Sequence, residues 1–194
     1  MKASVQQLVV AINQCRICAK HFEHDPNPIV QLNSNASILI AGQAPGRIVH
    51  DTGVPFNDLS GDRLREWMGV SKTVFYDAKK IAILPMGFCY PGRGKQGDLP
   101  PRKECAAEWR QQVLDAVPNI KLMLLIGDYA IKWHLGVDRK RNLTETVKAC
   151  KSYSPGVIPL PHPSPRNNIW LKKNAWFEVD VVPDLRNRVS KALG

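Results

Sequence analysis

Four short apolar runs, each shut off by glycine or proline, constrain this chain more than any other feature. They are residues 36–41 before Gly42, 81–84 before Pro85, 121–126 before Gly127, and 157–160 before Pro161. Runs this short, without polar alternation, bury both faces, as parallel strands under helices do. Helical spacing fills the gaps. Val5, Leu8, Val9 and Ile12 share one face of a segment from 4 to 13. Residues 60–68 read as a helix capped near Ser60 and stopped at Gly69, and 102–117 as a helix stopped by Pro118. A further helix starts at Asp128 and runs to about residue 135, and 169–193 is mostly helical with a break near Pro183. Strands alternating with helices predict a single α/β domain over residues 1–194. Its expected form is a three-layer α/β/α sandwich around a small parallel four-stranded sheet.

Ligands of such sheets bind outside the carboxyl ends of the strands. Three of the four exits are heavily punctuated: Gly42-Gln43-Ala44-Pro45-Gly46, Pro85-Met86-Gly87-Phe88-Cys89, and Pro161-His162-Pro163-Ser164-Pro165-Arg166-Asn167. If their strands are neighbours, all three meet in one cleft. Residues 90–102 form a basic loop rich in Gly and Pro.

A net charge of +10 favours polyanionic partners, nucleic acid first. No apolar stretch approaches the roughly 20 residues needed to span a bilayer. The first residues carry no signal-peptide pattern. The chain is therefore expected in the cytoplasm and away from membranes, as a monomer by default. Five cysteines without an export signal argue against a disulfide framework. Cys15 and Cys18 are spaced C-x2-C, Cys89 and Cys105 flank the basic loop, and Cys150 stands apart. Two such pairs can make a four-thiolate site for zinc or for a [4Fe–4S] cluster, and spacing alone does not separate the two.

Taken in order, Cys15-Arg16-Ile17-Cys18, Gly42-Gln43-Ala44-Pro45-Gly46, Gly53-Val54-Pro55-Phe56, Cys89, Cys105 and His162-Pro163-Ser164-Pro165 resemble the iron–sulfur uracil-DNA glycosylases of family four. The resemblance is colinear over residues 15 to 168. It implies a DNA-repair glycosylase that hydrolyses the N-glycosidic bond of uracil, or a related damaged base, flipped out of single- or double-stranded DNA. It implies a structural [4Fe–4S] cluster on Cys15, Cys18, Cys89 and Cys105, with zinc as the minor alternative. Gly42 would let the backbone approach the base, Phe56 would stack on it, and His162 would donate a hydrogen bond to the leaving uracil oxygen. Ser164 and Arg166 lie in a segment that resembles the one by which the family enters the duplex, where Arg166 would plug the gap or clamp a phosphate.

Two departures from the family pattern bear on activity. A carboxylate usually stands where this chain has Gln43, whose amide can hold water or a base edge but cannot act as a base. Asp51 is then the nearby carboxylate for orienting water, with His50 as a second candidate. Uracil-specific relatives place an Asn at the second strand end, where this chain reads Leu84-Pro85-Met86-Gly87. The alternative reading is a glycosylase-like nucleic-acid-binding protein with weak or no activity. A zinc protein with unrelated chemistry is a third.

Overall fold

The computed structural model describes residues 3–95 and 97–194. Its centre is a four-stranded sheet of β1 (Ile38–Ala41), β2 (Ile81–Ile83), β5 (Leu122–Ile126) and β6 (Val157–Leu160), in the order β2-β1-β5-β6. All three pairings are parallel, with Ile38 opposite both Ile81 and Leu122. Two residues each form β3 (Arg93–Gly94) and β4 (Gly97–Asp98), an antiparallel hairpin inside the basic loop.

Strand alternation divides the apolar runs between two buried layers. Ile38, Ile40, Ile81, Ile83, Leu122, Leu124, Ile126, Ile158 and Leu160 face α3 (Leu59–Met68) and α9 (Val182–Leu193), through Leu64, Trp67, Met68, Leu185 and Val189. Leu39, Ala82 and Leu84 face α1 (Val5–Asn13) and α5 (Lys103–Ala116), through Leu8, Ile12 and Val113. Ala41 and Leu125 meet Ala130 and Ile131 of α6 (Asp128–Leu135). The expected α/β/α layering is observed. No helix among the described residues is long and apolar enough to cross a membrane.

Both sheet edges are occupied. Along β2, Gln31 pairs antiparallel with Ile83 by two backbone bonds of 3.0 and 2.7 Å. The edge strand β6 turns Gly156 and Leu160 carbonyls toward β5. Val157 and Pro159 therefore point outward, where Pro159 has no N–H to offer. Arg188 donates to the outward Val157 carbonyl at 3.3 Å.

Several boundaries differ from the sequence reading. The cap of α3 is Asp58, whose carboxylate accepts from Gly61 N–H at 2.9 Å, and Ser60 lies inside the helix. The break in the last helical region falls between α8 (Asn168–Lys173) and a π-turn at Phe177–Val181. Pro183 sits in the first turn of α9, where a missing N–H costs nothing. Three short helices went unread: α2 (Arg47–Thr52), α4 (Lys72–Phe75) and α7 (Leu143–Lys148).

Candidate active site

The parallel sheet puts all strand exits on one side. Met86 N–H donates to the Gly42 carbonyl and Gly87 N–H to the Gln43 carbonyl, both at 2.9 Å, so the β1 and β2 exits run side by side. Gly127 N–H donates to Leu160 at 3.0 Å. A Cβ built on Gly127 would lie 3.9 Å from His162 Cβ and Cδ2, so the histidine packs on the β5 exit. The three exits do converge.

Phe56 forms one wall. A Cβ built on Gly42 would stand 3.4 Å from the Phe56 ring, so glycine is what lets the ring lie against the β1 exit. Phe56 is the one non-glycine among the described residues with positive φ, at 54°. Such a conformation costs of order 1–3 kcal/mol and persists only where the surroundings impose it. Here Tyr76 Oη donates to the Pro55 and Phe56 carbonyls at 3.0 and 3.3 Å, and Arg65 Nη1 to the Phe56 carbonyl at 3.4 Å. Phe75 meets the Phe56 ring edge-on at 6.1 Å. Arg65 is itself buried over the Phe75 ring and paired with Asp62.

His162 forms the opposing group. Its Nδ1 accepts from the Ser164 backbone N–H at 3.2 Å. An N–H can only donate, so Nδ1 is bare and the proton of the neutral ring sits on Nε2. Burial holds its pKa below the usual histidine value, against the smaller opposing pull of Asp58 and Asp98. At neutral pH the ring is an uncharged donor. The loop is stiffened by Asn167 Nδ2 donating to the His162 carbonyl at 2.7 Å and by Arg63 donating to the Pro163 and Ser164 carbonyls at 3.3 and 3.2 Å.

The remaining expected residues divide. Gln43 is half-buried at the cleft, and its amide makes no hydrogen bond with a described residue. Asp51 is exposed on α2, where both carboxylate oxygens take Arg47 Nε at 3.0 Å. His50 packs against His24 and Tyr90, at centroid distances of 4.4 and 5.9 Å, with its pKa lowered by burial. Ser164 Oγ accepts from Arg166 N–H at 3.3 Å, capping a short turn. The Arg166 guanidinium lies on the hairpin, with Nη1 2.7 Å from a Cβ built on Gly97.

A family model for the uracil DNA glycosylase superfamily matches residues 29–186. This chain belongs to that superfamily. The match takes in both motif loops and His162, and it starts after Cys15 and Cys18. Membership suggests a glycosylase-type function in DNA repair, and the matched range includes Cys89 and Cys105.

All four cysteines line one cavity, with Phe22, Phe88 and Trp109 among its walls. None is in a disulfide. Burial, and then the neighbouring thiols, push Cys89 up to about 12. Cys105 also rises to about 12 through burial, although the Phe88 N–H donates to its sulfur at 3.3 Å. Thiols so disposed become thiolates only when a cation enters. Trp109 Nε1 is buried without a partner beside them. Free thiols around a cavity, with an N–H donor to spare, suit a bound thiolate-ligated group. Among the described residues no three Cys, His, Asp or Glu side chains are gathered as a single-ion site. Cys150 is buried elsewhere, in the α3–α9 layer.

Sequence reading also passed over Arg110. It is fully buried on α5 and donates to the Leu84 and Pro85 carbonyls at 3.3 and 3.0 Å, under the strand end where an Asn was sought. Its other donors go to His134 Nε2, with Nε at 2.9 Å. A nitrogen that accepts from a guanidinium must be unprotonated, and burial with the Arg110 charge lowers His134 to about 3. The spacing of 24 residues leaves no local signal for the pair.

Proposed function

We propose that this protein is a DNA-repair glycosylase that hydrolyses the N-glycosidic bond of uracil, or a related damaged base, flipped from DNA. The observation that carries the reading is the pairing of Phe56, held in a strained conformation against Gly42, with a neutral His162 whose Nε2–H is its one donor. The flipped base stacks on Phe56. As the C1′–N bond lengthens, positive charge grows on the sugar and negative charge on the base. His162 Nε2–H stabilises the departing base at its carbonyl oxygen, an interaction that strengthens as charge develops. Gln43 lies where its amide can hold the base edge. Arg166 at the hairpin meets the phosphate backbone.

Cys15, Cys18, Cys89 and Cys105 would hold a [4Fe–4S] cluster, which supplies a cross-link between the N-terminal segment, the β2 exit and α5. Zinc, the minor alternative, needs a single-ion site, and the described side chains form none. Support comes from the shared cavity, the four unpaired thiols and the spare Trp109 N–H.

The test is base release by anaerobically prepared protein from oligonucleotides carrying uracil, hypoxanthine, xanthine or a thymine mismatch. Wild type is expected to release uracil, and His162→Ala to lose about 10²–10³-fold, as removal of one such donor does. No release of any base by correctly folded protein would overturn the reading. A second reading, damaged-DNA binding without cleavage, is favoured by the lack of a carboxylate at Gln43 and by Asp51's engagement with Arg47. Tight, salt-sensitive binding without release would select it.

A further inference from the structure

Asp98, a residue that no motif marked, brings a carboxylate to the first motif turn at Gly46, three residues from Gln43. A Cβ built on Gly46 would stand 3.7 Å from Asp98 Oδ2, so the carboxylate rests on the far end of the first motif turn. The residue before it, Gly97, carries the Arg166 guanidinium of the His162 loop. Two consecutive residues thus meet the first motif turn and the arginine of the loop after His162. The hairpin's geometry is held by the Arg93–Asp98 and Gly94–Gly97 pairings and by Leu99 N–H donating to Gly92 at 2.9 Å. Gly97 has φ of 135°, a conformation that side chains avoid, and it allows the close approach of Arg166.

The other carboxylates are committed. Asp58 Oδ1 caps α3, Asp62 pairs with Arg65, and Asp51 pairs with Arg47. Asp98 forms no ion pair with a described residue, and its carboxylate accepts from the Tyr90 hydroxyl. A carboxylate without a cationic partner, beside a cleft that takes a polyanion, weakens binding. Affinity for DNA does not account for its place there.

We infer that Asp98 supplies, from the hairpin, the water-activating carboxylate that Gln43 does not. This rests on the glycosylase reading above. The step balances without a further reactant. The water oxygen bonds to C1′ as the C1′–N bond breaks, Asp98 takes the water proton, and the base leaves with the bonding electrons under the His162 hydrogen bond. The proton on Asp98 then returns through solvent to the released base.

Asp98→Asn tests the assignment by three readouts: single-turnover uracil release, DNA affinity, and the titration of His162 followed by NMR. Asp58 and Asp98 act on that ring, Arg63 and Arg166 lie on its loop, and α3 and α6 beside it also carry Asp62, Arg65, Glu66, Asp128 and Lys132. The expected result is a rate lower by roughly 10²–10⁴-fold, DNA binding unchanged or tighter, and a lower His162 pKa. Asp58→Asn keeps the cap, since Asn and Asp cap about equally, and is expected to retain most of the rate. Wild-type rates in Asp98→Asn would overturn the inference. An unmoved His162 titration would do so too, and that readout judges it even if wild type releases no base, the outcome that defeats the glycosylase reading itself.

Discussion

Gly61→Ala should destabilise this protein, although the usual rule for a helical glycine points the other way. Replacing Gly by Ala inside a helix ordinarily gains about 1 kcal/mol. Here a Cβ on Gly61 would lie 1.7 Å from the Phe56 carbonyl oxygen, 2.7 Å from its carbon and 2.8 Å from its Cβ. Restoring ordinary contact means moving the Phe56 main chain by roughly 1.5 Å. That segment is held by Tyr76 and Arg65, so the shift breaks hydrogen bonds worth about 0.5–1.5 kcal/mol each. Overpacking adds about 1–3 kcal/mol. After the helical gain, the net loss is about 2–4 kcal/mol, or a Tm lower by roughly 5–15 °C for a chain of this length. Thermal unfolding followed by circular dichroism measures it, and base release reports the displaced ring. An unchanged or raised Tm would refute the claim that Gly61 exists to admit the Phe56 carbonyl.

Three other outcomes follow from described contacts. The folded state resists protonating His134 (about 3), so the unfolded chain binds more protons below about 6.5 and stability falls as pH drops toward 3. Between pH 6.5 and 5 the loss from this group is about 2 kcal/mol. His134→Gln keeps an acceptor for Arg110 and should flatten that slope in urea unfolding at the two pH values. On the proposed cluster, Cys105→Ser should lose iron and visible absorption, whereas Cys150→Ser, in the other layer, should keep both; equal iron in the two variants would remove Cys105 from the ligand set. Arg166→Ala should reduce the slope of log affinity for DNA against log salt by about one, and an unchanged slope would mean that Arg166 meets no phosphate.

The sheet was legible because a strand buried on both faces has a composition that few other elements share. The convergence of the Gly42–Gly46 turn, the Pro85–Cys89 exit and the His162 loop was legible because a parallel sheet gathers its exits, whereas Phe56 was expected only from the family resemblance. Short helices such as α2 and α7 were not, since one turn and a half carries too few residues for a period to show. Pro183 misled because its meaning depends on whether it falls in a helix's interior or its first turn. Asp51 was the carboxylate nearest in sequence, but Arg47 four residues earlier claims it, a spacing that could have been weighed. Asp98 and Arg110 owe their positions to a hairpin and to a packed helix far from the motifs in sequence. No local pattern announces such a contact.

The occupied edges of the small sheet bear on how this protein behaves in company. An exposed strand edge is a template on which a second chain can add, and parallel sheets expose theirs while folding. On one side Gln31 takes up the pairing groups of Ile83. On the other, Pro159 leaves a gap in any incoming ladder, and Arg188 occupies the Val157 carbonyl. Copies crowded together, as on a stretch of DNA, can stand side by side without zipping into a shared sheet. Pro159→Val with Arg188→Ala would reopen that edge, and aggregation is where the cost would first be seen.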